Sequence, residues 1–305
     1  EKFNINSSGN ATFAGTVAAT SYNGIPFFSD VANNSMYTHD VSGTDDSAEN
    51  NTAYGFSNLQ SITTGDNNTA IGRNAGGGIN SAHNNSILGA FAGDALTSGS
   101  HNIAVGFGAL SAETTGNKNV AVGHQTLLVQ NKQADAFNVA VGFEAGKAIT
   151  TGTHNTILGA LAGDAMTTGS NNVALGYGAL SAEDAHSFNV AIGGYSLYSQ
   201  NAGANAYNTA VGYNTGFAIS TGVQNTIIGG LAGDALTTGL QNVLLGYAAG
   251  TGLVEGNFNT AIGTQALSVE NAHSGNTAIG YQTLKVQDAG ADAYNTAVGH
   301  QAGLA

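Results

Sequence analysis

A five-residue unit sets the terms for this chain: Asn, then Thr, Val, Ser or Ile, then a small or aliphatic residue, then an apolar residue, then Gly. It occurs fifteen times, beginning at Asn51, Asn68, Asn85, Asn102, Asn119, Asn138, Asn155, Asn172, Asn189, Asn208, Asn225, Asn242, Asn259, Asn276 and Asn295. The numbering of successive copies advances by seventeen in eleven of the fourteen steps, and by nineteen in the steps that start at Asn119, Asn189 and Asn276. A longer period overlies the short one. Phe-Ala-Gly-Asp-Ala stands at 91–95, and Leu-Ala-Gly-Asp-Ala at 161–165 and again at 231–235. The offset between these copies equals three short coils and one long one, so a four-coil block was duplicated on top of an older single-coil repeat. A period this short describes one structural unit stacked on its neighbours, the arrangement that buries a continuous core.

Each unit reads as a short strand closed by a turn. The third position is mostly Ala, and the fourth is apolar at Ile71, Leu88, Val105, Val122, Val141 and their equivalents. Such a run is apolar on both faces, whereas a strand with one wet face alternates. Gly-rich turns leave only a short stretch for a return strand, and no room for a helix. The expectation is an all-β chain: a parallel β-solenoid or β-roll of about fifteen 17–19-residue coils over 51–305, stacked at about 4.8 Å per coil. Gly at each strand end suits a backbone that excludes a β-carbon. The Asn residues are expected to form a ladder of amides along the axis. So short a coil encloses little volume, and one chain leaves one strand face poorly covered. Packing about a three-fold axis covers it, and a homotrimer is expected.

Composition removes several classes of function. Six basic residues against 19 acidic ones give a net charge of −13, which argues against a track for nucleic-acid phosphates. The absence of Cys excludes disulfides, thiolate metal sites and cysteine nucleophiles. A hydrophobic content of 42% argues against disorder, and a single Pro argues against collagen. No apolar run is long enough for a membrane-spanning helix, so no membrane insertion of that kind is expected. The chain opens Glu1-Lys2-Phe3 and stops at Ala305 in mid-coil; both ends read as those of a piece of a longer product.

The pattern marks no catalytic or cofactor chemistry. His83, His101, His154, His186 and His273 lie just before a repeat Asn, hence in turns, while His124 and His300 follow the repeat Gly. None forms an HxH or HExxH pair, so no metal site is expected. Asp94, Asp164 and Asp234 recur among Ala and Gly, far short of the six to eight oxygens calcium takes. There is no GxSxG elbow, and no Gly-x-Gly pair is followed by the Lys-Ser/Thr of a phosphate loop. Glu183 and Asp184 sit together in a polar turn. No enzyme activity and no cofactor are expected.

The units Asn68-Thr-Ala-Ile-Gly72, Asn119-Val-Ala-Val-Gly123 and Asn189-Val-Ala-Ile-Gly193 resemble the head repeats of trimeric autotransporter adhesins. The 17-residue form Asn172-Val-Ala-Leu-Gly-Tyr-Gly-Ala-Leu-Ser-Ala-Glu183 is similar to repeats of bacteriophage tail fibres. The resemblance covers about residues 51–305. It implies a left-handed parallel β-roll built by three closely packed chains, in a fibrous surface protein, and it carries over no catalytic residue. Residues 1–50 differ: Lys2 to Asn6 alternates, Ser7 to Asn10 is a turn signal, Ala11 to Ala19 suits a second strand, and a polar connector follows. This part resembles the β-rich shaft or collar segments that precede fibre tips. The resulting expectation is a non-enzymatic segment of a phage tail fibre on the virion surface or otherwise extracellular. Its partners would be its own copies, other virion tail components, and a host cell-surface glycan or protein receptor. A bacterial surface adhesin head and a monomeric polysaccharide-binding solenoid are the alternatives.

The candidate receptor contacts are the three longer coils, whose two extra residues must bulge because stacked strands keep register. The loops are 130–137, 200–207 and 287–294. Their candidate residues are Lys132, Asp135 and Phe137, then Asn205 and Tyr207, then Asp288, Asp292 and Tyr294. Each loop sets amide or carboxylate groups beside a ring, the mixture used to recognise sugars. Other aromatic residues follow the repeat Gly (Phe107, Phe143, Tyr177, Tyr213, Tyr247, Tyr281) or precede the Asn (Phe188, Phe258), where a ladder of rings is expected.

Overall fold

A computed structural model describes residues 3–5, 11–13, 21–22, 25–26, 28–30, 35–37, 47–269, 272–287, 292 and 294–304. All regular structure among them is β. Strand β1 (Phe3–Ile5) pairs antiparallel with β2 (Ala11–Phe13), Phe3 opposite Phe13, as the alternating N-terminus predicts. The short strands β3 (Ser21–Tyr22) and β4 (Ile25–Pro26) form a second antiparallel pair. β5 (Phe28–Asp30) pairs with β6 (Ser35–Tyr37), which meets the solenoid through Met36 opposite Thr52.

From β7 (Thr52–Tyr54) to β21 (Thr296–Val298), every repeat unit supplies one three-residue strand from its second to fourth positions. With β6 they make sixteen parallel strands, each bonded to the next. Thr69 lies opposite Thr52 and Ala70 opposite Ala53. Register survives the longer step: Val139 lies opposite Val120 and Ala140 opposite Ala121. The two extra residues are therefore absorbed outside the strand. At about 4.8 Å per coil the stack is about 70 Å long.

Only the middle residue of each strand points into its coil. Ala70, Ala104, Ala140, Ile157 and Ile227 are buried, while their neighbours on both sides point outward. Leu88 is 48% exposed and Val141 37%. The expected apolar character on both faces is there, but within one chain only the inner face has a partner. Among the described residues the expected return strand is not formed. After the repeat Gly the backbone runs through turns, and too few residues separate them for a second extended run. Its amides still bond from coil to coil, as from Gly76 N to Ala92 O (2.9 Å) and from Gly93 N to Ala109 O (2.9 Å).

The narrow core is filled by exchange of volume. The first coil sets Leu59 with Ile62, three residues apart at its ninth and twelfth positions. In later coils, where the twelfth residue is a large aliphatic residue or Met, the ninth is Gly: Gly76 with Ile79, Gly146 with Ile149, Gly163 with Met166. A β-carbon on Gly146 would stand 3.0 Å from the Ile149 Cδ1 and 3.0 Å from the Leu127 Cδ2. Where the twelfth residue is Glu or Gln, the ninth is Leu, as in Leu110 with Glu113 and Leu127 with Gln130. Each of these pairings trades volume between two positions of one narrow interior, as close packing requires.

The punctuation residues behave as the repeat requires. Gly142, with φ at +144°, would carry a β-carbon 2.5 Å from the carbonyl oxygen of Gly159 in the next coil, so no other residue fits. The buried Asn residues form the axial ladder. Asn51 Oδ1 accepts from the backbone N–H (2.9 Å) and the side-chain amide (3.1 Å) of Asn68. The Asn68 amide also donates to Ala82 O (2.7 Å), later in the same coil, which closes that coil on itself.

Candidate functional site

The three bulges are built by a polar exchange inside the core. In an ordinary coil the Asn amide reaches a carbonyl near the end of its own coil, as from Asn155 to Gly169 O (2.8 Å) and from Asn225 to Gly239 O (2.9 Å). The insertion removes that carbonyl from reach. The twelfth residue of each long coil is a Gln, buried at 130 and 200 and half-buried at 287, that meets an Asn of the ladder. Gln130 Oε1 accepts from the Asn138 amide (3.0 Å), Gln200 Oε1 from the Asn208 amide (2.6 Å), and Gln287 Nε2 donates to Asn276 Oδ1 (3.1 Å). In the first block the coil before the bulge contributes Glu113, fully buried. Its Oε1 accepts from the amides of Thr114 (3.0 Å) and Gly116 (2.7 Å), and its Oε2 from the amide of Lys132 (3.0 Å) inside the bulge. Sequence reasoning missed this Glu–Gln pair. Its signal was legible: the ninth and twelfth positions switch together from Gly with an aliphatic residue to Leu with Glu or Gln, once per block.

The bulges hold the sequence-predicted residues in unequal states. Lys132 flanks a shallow cavity of about 370 Å³, lined also by Asn131, Gln133, Ala134 and Thr151. Asp135 is tied down: Lys118 Nζ approaches to 2.6 Å, and the Asn117 amide donates at 3.0 Å. These contacts, Lys118 first, hold its carboxyl below the ordinary range. Phe137 has Lys118 4.9 Å from its ring centre, and the His154 ring stacks on it at 5.2 Å; both neighbours occupy ring face that a sugar would need. Tyr207 stacks parallel on Phe188, centroids 5.0 Å apart, and leaves half its surface in water beside exposed Asn205. Asp292 accepts from the Ser274 amide (2.9 Å), and Tyr294, 71% exposed, lies over the bare backbone of Gly275. Asp288 lies outside the described residues. Loop 200–207 sets an exposed amide, Asn205, beside a half-exposed ring, Tyr207.

Rings after the repeat Gly form the expected ladder. His124 stacks between Phe107 (5.4 Å) and Phe143 (5.1 Å), and His300 stacks on Tyr281 (5.1 Å). Further along, Tyr177, Tyr213 and Tyr247 alternate with Gly194 and Gly230. The gap over Gly194 is closed by Tyr195, whose ring meets Tyr177 edge-on at 5.2 Å. Over Gly230 the nearest side-chain atom to an added β-carbon is Cδ2 of Tyr247 at 3.8 Å. Asp94 and Asp164 accept the hydroxyls of Ser111 and Ser181 (2.6 Å each) from the next coil, a turn role.

One acidic turn departs from its first-block duplicate, and the third block repeats its Glu and His at Glu270 and His273. Glu183 is the second-block counterpart of Glu113, and His186 replaces the Gly found at 116. Glu183 Oε1 lies 2.6 Å from His186 Nδ1 and accepts from the His186 amide (2.9 Å), with Asp184 Oδ1 4.0 Å from the same ring nitrogen. Burial pushes the Glu183 carboxyl above its ordinary range, and the His186 contacts pull the other way.

The outer strand face runs the length of the stack. Its second and fourth positions hold Thr, Val, Ser, Ile, Leu and one Tyr, with no charge in any of the fifteen strands. Among the described residues no helix is long and apolar enough to cross a membrane. The chain matches no family model, and no curated protein or solved structure is significantly similar to it.

Proposed function

We propose that this chain is a structural segment of a trimeric surface fibre, of the phage tail-fibre kind, that carries low-affinity contacts for a host-surface glycan or protein receptor. The observation behind this reading is the uncharged outer strand face. Monomeric soluble proteins rarely expose a contiguous apolar patch of more than a few hundred Å². A stripe about 70 Å long and about 10 Å wide exceeds that and approaches the roughly 800 Å² per partner of a stable interface. Its regular, in-register repeat would let identical rows from three chains meet along an axis, Val141 with the Val141 residues of the other copies. Thr at the second position suits the margin of such an interface, and Leu or Ile at the fourth its centre.

The turns on either side of this face carry the exposed rings, and the bulges end there beside the repeat Asn. Three bulges per chain, four and five coils apart, give rows about 20–24 Å apart, a spacing that favours multivalent attachment. Light scattering tests the assembly: the expected mass is three times 30.4 kDa. A mass of one chain would overturn the trimer and favour the monomeric polysaccharide-binding solenoid. For attachment, the three loops are shortened to the 17-residue length. Host-cell binding is expected to fall while the mass stays trimeric, and unchanged binding would locate recognition elsewhere.

A further inference from the structure

We infer that the Glu183–Asp184–Ala185–His186 turn is a binding site for a divalent transition-metal ion of the zinc class. One oxygen each of Glu183 and Asp184 and one ring nitrogen of His186 lie within 4.8 Å of one another. One imidazole with two carboxylates is the donor set that zinc-class ions accept. A second observation points the same way. Glu183 is fully buried, and its Oε2 has no hydrogen-bond partner. A buried carboxylate oxygen left without a donor is costly, and such an atom in a folded protein calls for a water or an ion.

The chain carries its own control. At the same place in the first block, Glu113 receives four donors: the amides of Thr114, Gly116 and Lys132, and at 3.4 Å the Gln130 side chain. That carboxylate is saturated by the protein alone. In the second block Gln200 Nε2 turns away to Ser220 O (3.4 Å), and no bulge amide replaces it at the Glu183 Oε2. The turn has meanwhile gained an imidazole and a second carboxylate, both absent from Glu113-Thr-Thr-Gly116. Loss of the internal donors coincides with gain of metal-type ligands. Coordination would break the 2.6 Å contact between His186 Nδ1 and Glu183 Oε1 and release any proton held there, so the metal replaces that proton and leaves coordination positions for water.

The full 305-residue chain, stripped with chelator and dialysed, would be titrated calorimetrically with ZnCl₂ and NiCl₂, with MgCl₂ as a hard-ion control. The expected result is saturable zinc binding that is weaker at pH 6 than at pH 7.5 and a raised melting temperature with metal. His186→Gly restores the residue that the first block carries and so is expected to fold; it should weaken zinc binding at least about tenfold. Asp184→Asn should weaken it less. No saturable zinc binding, or zinc binding unchanged in His186→Gly, would overturn the site and leave the Glu183 oxygen to a buried water.

Discussion

The two sides of each three-residue strand obey different rules. On the inside, Ala, Ile or Leu at the third position is buried against its own coil and the next. On the outside, the second and fourth positions carry no charge yet remain in contact with water. Inner residues are explained by one chain, because the narrow coil accepts only side chains that fit its volume. Outer residues are not. A fold that needed nothing more would carry Lys, Glu or Asn on that face, as solvent-facing sheet positions usually do. The repeat unit thus meets one packing demand within the coil and leaves an uncharged face that the proposed assembly would cover.

The inner side should break first. Ala140→Asp places a carboxylate in the apolar coil interior beside Ala121 and Ile157, its register neighbours. Such a charge is expected to cost more than about 4 kcal/mol in each chain. Denaturant unfolding should show a large loss or no folded state at all. A melting temperature near that of the parent would mean that the middle residue is not the buried one.

Next in size is the Asn ladder, which holds the inner side closed. Asn155 Oδ1 accepts from the Asn172 backbone amide (3.0 Å), and its side-chain amide donates to Gly169 O (2.8 Å). Asn155→Ala leaves both groups buried without partners and is expected to cost about 2–4 kcal/mol. Asn155→Asp keeps the acceptor and loses the donor, but it also buries a charge and should do no better. An Asn155→Ala protein that melts like the parent would show that water satisfies the corner.

Most of this architecture was legible because repetition amplifies weak signals. One Asn-Val-Ala-Val-Gly is a poor strand prediction; fifteen in register leave little choice about stacking, the glycine corner or the amide ladder. Two readings needed the structure. A three-residue strand does not announce which of its residues turn inward, and the structure encloses Ala140 while it leaves Val141 on the outer face of the single chain. The predicted return strand failed for a related reason: so short a coil closes around a thin core with turns alone. Among the loops, Phe137 looked like a free platform, but Lys118 and His154 are set against it by the coils before and after. Residues in contact across neighbouring coils are separated in sequence by a whole repeat, which local patterns do not reveal. The exchange of Gly146 with Ile149 for Leu127 with Gln130 was present in the sequence throughout. It marks the bulges better than their length does.

The smallest expected effect on the single chain bears most on the comparison. Val141 stands on the outer face between Val122 and Leu158 in the adjacent strands. Val141→Asp keeps its charge in water as long as the chain is alone, so its cost there should stay below about 1 kcal/mol, mainly lost strand preference. In a three-fold assembly the same change brings three carboxylates together at an axis lined by Val, Leu and Ile. Desolvation and mutual repulsion would oppose assembly. Light scattering should therefore report a loss of mass for Val141→Asp, and its melting temperature should become independent of protein concentration while that of the parent rises with it. The chains must still fold for this to count, which circular dichroism of the β signal would establish. If Val141→Asp assembles like the parent, the outer stripe is not where copies meet. The contrast between the two strand faces would then need another explanation, with the apolar side turned toward a different molecule.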